Sequence, residues 1–120
     1  MKEVFFLQYP KCSTCQKAKR WLDEHNVSYT ARHIVEEKPT REELGEWYRK
    51  SKLPLKRFFN TSGLLYKEKD LKNCLPGMTE EEQLELLSEN GMLVKRPLIV
   101  GENFVLIGFR QKEWEESLLK

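Results

Sequence analysis

A short apolar run, Val4-Phe5-Phe6-Leu7, leads through Tyr9-Pro10-Lys11 into Cys12-Ser13-Thr14-Cys15, and the helix-like stretch Ala18-Lys19-Arg20-Trp21-Leu22 follows. Strand, tight loop, paired cysteines and helix in that order constrain both the start of the fold and its chemistry. The first turn of a helix offers unpaired N–H groups and a partial positive charge. Both favour a thiolate over a thiol, and the thiolate is the nucleophile. Cys-x-x-Cys in this setting reads as redox chemistry, with Cys12 attacking and Cys15 resolving the mixed disulfide one turn further on. Lys11 and Lys17 add positive charge nearby, so the Cys12 thiol is expected below its ordinary pKa. A metal site or a pair of inert thiols is the alternative. Zinc would require two more ligands, which only Cys74, His25 and His33 could supply, and these form no spaced cluster.

The elements beyond this stretch extend the pattern. Residues 3–8 read as a buried strand ended by Pro10, residues 13–25 as a helix with Ala18, Trp21 and Leu22 inward, and residues 27–34 as a half-exposed strand. Two strands joined through a helix are most simply parallel. Two capping boxes, Thr40 with Glu43 and Thr79 with Glu82, open helices. Leu44, Trp47 and Tyr48 form the core face of the first, and Leu84, Leu86 and Leu87 that of the second. Leu75-Pro76-Gly77 reads as a break between them, and residues 38–91 as a helical insert. Leu98-Ile99-Val100 and Phe104-Val105-Leu106-Ile107 flank Gly101-Glu102-Asn103 as a hairpin, and a last helix turns Trp114 and Leu118 inward. The order β-α-β, helical insert, β-β-α is an α/β, thioredoxin-like arrangement in one domain.

Lys95-Arg96-Pro97 stands immediately before the hairpin. Proline there can serve as a sheet-edge device. In thioredoxin-like folds, however, a cis-proline at this point lies against the reactive cysteine. Arg96 would then bring a guanidinium to the thiolate, suited to an oxyanion or carboxylate, and Arg110 could face the same crevice. Cys74 reads as a semi-buried thiol, and His25 and His33 as structural. With 21 Lys and Arg against 19 Asp and Glu, a net charge of +2 gives no basis for direct nucleic-acid binding. No stretch approaches the ~20 apolar residues of a membrane span, and residues 1–8 lack the features of a signal peptide. A soluble, cytoplasmic protein is expected.

Four stretches together resemble the arsenate reductase (ArsC)/Spx family over essentially the whole chain: Tyr9–Cys15, Phe58–Gly63, Gly91–Pro97 and Val105–Phe109. The resemblance implies an ArsC-type thioredoxin-like fold, Cys12 as the nucleophile, and Arg96 and Arg110 at two of three oxyanion-binding arginine positions, the third falling at uncharged Asn60. The substrate-binding set so implied is Lys11, Ser13, Thr14, Asn60, Arg96, Pro97 and Arg110. Cys15 and Gln16 replace the serine and arginine that follow the nucleophile in the reductases, which points to exchange with another sulfur. The leading expectation is a thiol-disulfide oxidoreductase with no bound cofactor, supplied with electrons by glutathione, glutaredoxin or thioredoxin. The alternatives are an Spx-like redox-sensing regulator that binds the RNA polymerase α subunit, and arsenate reduction.

Overall fold

In the computed structural model, which describes residues 3–119, the apolar run becomes strand β1 (Val4–Gln8), and α1 (Ser13–Glu24) and β2 (Tyr29–His33) follow. β1 and β2 are parallel, with Phe6 opposite Ala31. The hairpin strands β3 (Leu98–Val100) and β4 (Val105–Ile107) are antiparallel to each other. β3 also runs antiparallel to β1, giving the order β2-β1-β3-β4. Side chains alternate across a strand, and the two faces receive different covers. Phe6, Ile99 and Leu106 pack with Ala18, Trp21 and Leu22 of α1 and with Trp114 and Leu118 of α6 (Gln111–Leu118). Leu7, Leu98, Val100, Val105 and Ile107 face the other way, into the insert.

The insert contains α2 (Arg41–Ser51), a 3-10 turn at Leu55–Phe58, α3 (Leu64–Glu68), α4 (Leu71–Cys74), a second 3-10 turn and α5 (Glu80–Glu89). Both capping boxes close reciprocally, at Thr40/Glu43 and at Thr79/Glu82. Leu44, Trp47, Leu84 and Leu87 are buried as the periodicity implies, while Tyr48 and Leu86 are only half-buried. Arg32 on β2 fixes the insert to the sheet. Its guanidinium donates to both Glu43 carboxylate oxygens at 2.7 and 2.8 Å, and to the carbonyls of Glu37 and Lys38.

Two expectations need correction. Leu75–Gly77 is a 3-10 turn, not a break, with Leu75 buried under it. Cys74 is exposed, because Leu71 and Leu75, one turn apart, take the inward face of this short segment and leave Cys74 beside it facing water. His25 and His33 do hold backbone: His25 Nδ1 lies 2.9 Å from the Trp21 carbonyl, and His33 Nδ1 accepts from the amides of Val35 and Glu36. Pro97 precedes β3, an internal strand of the sheet, so it is not an edge device. Among the described residues, no helix is long and apolar enough to cross a membrane.

Candidate active site: a thiol pair beside a basic cleft

The loop between β1 and α1 is a tight turn in which the Cys12 amide donates to the Tyr9 carbonyl at 2.9 Å, with Pro10 at the position that suits its fixed φ. Gln16 Nε2 clamps the same turn through the Pro10 carbonyl at 2.8 Å. Cys12 is thereby placed as the N-cap of α1, in extended conformation. Serine, threonine or aspartate usually accepts the first free amides from that position; here the acceptor is sulfur. No amide closes a cap hydrogen bond of ordinary geometry on Cys12, yet those of Cys15 and Thr14 lie close enough to stabilise charge on it.

The two thiols are driven in opposite directions. Burial pushes Cys12 up, but the Cys15 amide, the Cys15 thiol, the Thr14 amide and the Arg96 guanidinium together bring it below its ordinary value. Cys15 is buried, and burial first, then its hydrogen bond to Cys12 and the negative charge there, push it up to about 12 against the pull of the Tyr9 backbone and Arg96. The cation acting on the pair is therefore Arg96. Lys11 and Lys17 are exposed and contribute nothing comparable, since an ammonium on a mobile stem in water is screened.

Arg96 is held over the Tyr9 ring, 5.4 Å from its centroid, and its Nη1 lies 3.4 Å from the Met92 carbonyl. Its Nε is buried without a hydrogen-bond partner. The Arg96-Pro97 peptide bond is cis, and the Pro97 carbonyl accepts from the Gly108 amide at 2.9 Å. Gly108 sits at φ +74°, in the region that favours glycine. Its carbonyl takes the Trp114 indole N–H at 3.1 Å, which fixes the turn carrying Phe109 and Arg110.

A second pairing completes the site. Phe59 bridges Val94, flanked by hydrogen bonds from Asn60 N to Leu93 O at 2.7 Å and from Lys95 N to Phe58 O at 2.8 Å. This holds the Leu55–Phe58 turn of the insert next to Lys95 and Arg96. The result is a cleft of about 570 Å³ whose lining includes Thr14, Lys56, Arg57, Lys95, Arg96 and Arg110. Of the residues expected to bind substrate, Thr14, Arg96 and Arg110 line it. Lys11 and Ser13 are exposed and lie outside the lining. So does Asn60, whose Oδ1 accepts from Ser62 Oγ at 3.3 Å. Lys56, Arg57 and Lys95 escaped the sequence reading. The signal is two basic pairs, Lys56-Arg57 just before one of the stretches that resemble the family and Lys95-Arg96 inside another, but nothing local indicates that they meet. Among the described residues, no group of three or more His, Cys, Asp or Glu side chains is placed to hold a metal ion.

A strand-to-helix thiol pair on this sheet, with a cis-proline immediately before β3, defines a thioredoxin-like protein. The chain belongs to the ArsC family, which matches over residues 7–117. It is 52% identical over 112 residues to the uncharacterized protein YusI of Bacillus subtilis, covering 93% of this chain and 95% of that one. The regulatory protein MgsR of the same organism is 33% identical over 112 residues, covering 93% and 87%. Among solved structures, an ArsC family related protein from Bacteroides fragilis is 61% identical, with a TM-score of 0.93 over 96% of this chain and 97% of that one. The chain is also similar to regulators named Spx, one of which, from Listeria monocytogenes, is 28% identical over 87% of this chain and 78% of its own.

Proposed function

We propose that the protein is a thiol-disulfide oxidoreductase in which Cys12 attacks and Cys15 resolves. The observation that carries this reading is the divided state of the two sulfurs, one lowered and accessible, the other buried and raised to about 12. The Cys12 thiolate attacks one sulfur of a substrate disulfide, forming a Cys12 mixed disulfide and releasing the other sulfur as a thiolate, which takes up a proton. The negative charge that held the Cys15 proton is then gone. Cys15 yields its proton and attacks the Cys12 sulfur, the Cys12–Cys15 disulfide forms, and the second substrate thiolate leaves. Two electrons pass from the protein dithiol to the substrate. A donor thiol, whether glutathione or the dithiol of a glutaredoxin or thioredoxin, restores the pair by the reverse exchange.

The test is reduction of bis(2-hydroxyethyl) disulfide with each donor, comparing wild type with Cys12→Ser and Cys15→Ser. Loss of turnover in Cys12→Ser, together with a trapped mixed disulfide on Cys12 in Cys15→Ser, supports the mechanism. Turnover that survives Cys12→Ser refutes it. The likeness to the regulators MgsR and Spx favours one second reading, a redox-switched regulator, for which the Spx resemblance implies the RNA polymerase α subunit as partner. Capture of that subunit by only one redox form, without turnover by any donor, would replace the first reading with the second.

A further inference from the structure

The cleft beside Cys12 carries charge that thiol exchange with a neutral disulfide would not use. Five of its twelve lining residues are cationic (Lys56, Arg57, Lys95, Arg96 and Arg110) and none is acidic. This contrasts with a chain whose net charge is only +2. Like charges gathered in one concavity repel one another and focus a positive potential into it. Among the described residues, Arg110 alone of the five has a carboxylate neighbour, Glu113, at 3.6 Å. The buried, unpartnered Nε of Arg96 is a donor whose desolvation is uncompensated until an acceptor arrives.

The cations also come from three separate segments: the Leu55–Phe58 turn, the residues before β3 and the residue that caps α6. Apolar surface from Pro54 and Phe109 lies among them. Charge spread over this span, with apolar surface between, matches successive carboxylates along an extended chain better than one compact anion. Thr14 and Arg96 join the cleft to the nucleophile, since Thr14 lines it and supplies an amide to the Cys12 sulfur, and Arg96 lines it and acts on both thiols.

Building on the thiol-disulfide reading, we propose that the physiological substrate is a protein disulfide flanked by aspartate and glutamate, and that Lys56, Arg57 and Lys95 select it. The flanking acidic segment lies in the cleft and delivers its disulfide to Cys12. Attack then proceeds as above, with the acidic polypeptide held through one sulfur in the mixed disulfide until Cys15 releases it.

The experiment uses octapeptides with one cysteine in mixed disulfide with 2-mercaptoethanol and with Asp/Glu, Asn/Gln or Lys flanks. Each rate with the reduced wild-type protein is divided by the rate of the same peptide with dithiothreitol, which removes intrinsic reactivity. We expect the acidic peptide to exceed the neutral one by about tenfold at low ionic strength. The ratio should collapse toward one at ~1 M salt, where the screening length is about 3 Å. Lys56→Gln/Arg57→Gln/Lys95→Gln should lower the acidic-to-neutral ratio at least threefold. A ratio within twofold of one in the wild type, with bis(2-hydroxyethyl) disulfide still reduced, overturns this inference alone. Failure to reduce that neutral disulfide overturns the thiol-disulfide reading beneath it. If glutathione disulfide, a small anionic disulfide, matches the acidic octapeptide, the selection is for small anions and the polypeptide assignment fails.

Discussion

Cys12 and Cys15 should differ sharply toward an alkylating agent, and the size of the difference follows from their surroundings. Cys15 is raised from 9.0 to about 12, which at neutral pH cuts its thiolate fraction ~10³-fold relative to an unperturbed cysteine. A more basic thiolate is a better nucleophile, and a Brønsted slope of about 0.4–0.5 returns roughly 15- to 30-fold of that loss. The remainder is about 30- to 60-fold, and the burial of Cys15, 1% exposed, acts in the same direction. In a Cys74→Ser background, limiting iodoacetamide at pH 7.5 followed by peptide mass spectrometry should place the first label on Cys12 at least ~30 times as often as on Cys15. Repeating the labelling across pH should put the Cys12 inflection below that of an unstructured peptide thiol. Comparable labelling of the two cysteines, or a Cys12 inflection at or above the free-thiol value, would refute the claim that the N-terminus of α1 and Arg96 activate one sulfur while its partner stays protonated.

Glu43 is held near 2, against an ordinary 4.5, first by its hydrogen bonds from Arg32. A depressed carboxyl contributes stability above its unfolded pKa and loses it as pH falls toward the folded one. The full shift would be worth ~3 kcal/mol. With the Glu43 side chain 35% exposed, screening reduces this to about 1–2 kcal/mol, so Glu43→Gln should lower urea stability by that amount at pH 7. The gap should fall below half by pH 3, and a gap that stays constant with pH would exclude the ion pair as its source. Thr79→Ala removes a capping box and should cost about 1 kcal/mol, read as a shift in the urea midpoint at constant slope. A Cβ on Gly91 would meet the Ile34 carbonyl oxygen, with its carbon at 2.7 Å. Both are backbone and cannot swing aside, so Gly91→Ala should cost about 3 kcal/mol or more, seen in thermal unfolding.

What could be read from the sequence was local. The Tyr9–Cys15 turn, the two capping boxes, Pro97 and the hairpin each declare themselves within a few residues, because turns, caps and strand alternation are set by near neighbours. The position of Cys12 at the N-cap of α1, with Cys15 in its first turn, is legible for the same reason. The cation that acts on them was misjudged in part. Lys11 and Lys17 are near in sequence yet project into water, whereas Arg96, 84 positions after Cys12, reaches the sulfur through the fold. Lys56, Arg57 and Lys95 became neighbours only through the Phe59–Val94 bridge, a pairing of single residues that leaves no periodic trace. That the insert covers one whole face of the sheet was likewise invisible, since apolar side chains on a short strand do not say what will lie over them.

The close approach of Gly91 to Ile34 has an architectural implication. The insert leaves the sheet beyond β2 and returns at Gly91, so its two ends meet backbone to backbone. Geometrically, a short turn could suture that junction and leave the strand order intact. Energetically it could not stand alone, because Leu7, Leu98, Val100, Val105 and Ile107 would face water, at roughly 1.5–3 kcal/mol for each large side chain stripped bare. The segment is thus exchangeable without being dispensable. Another cover with the same apolar footprint could be grafted at one seam, and it would bring its own charges to the wall of the cleft opposite Arg96.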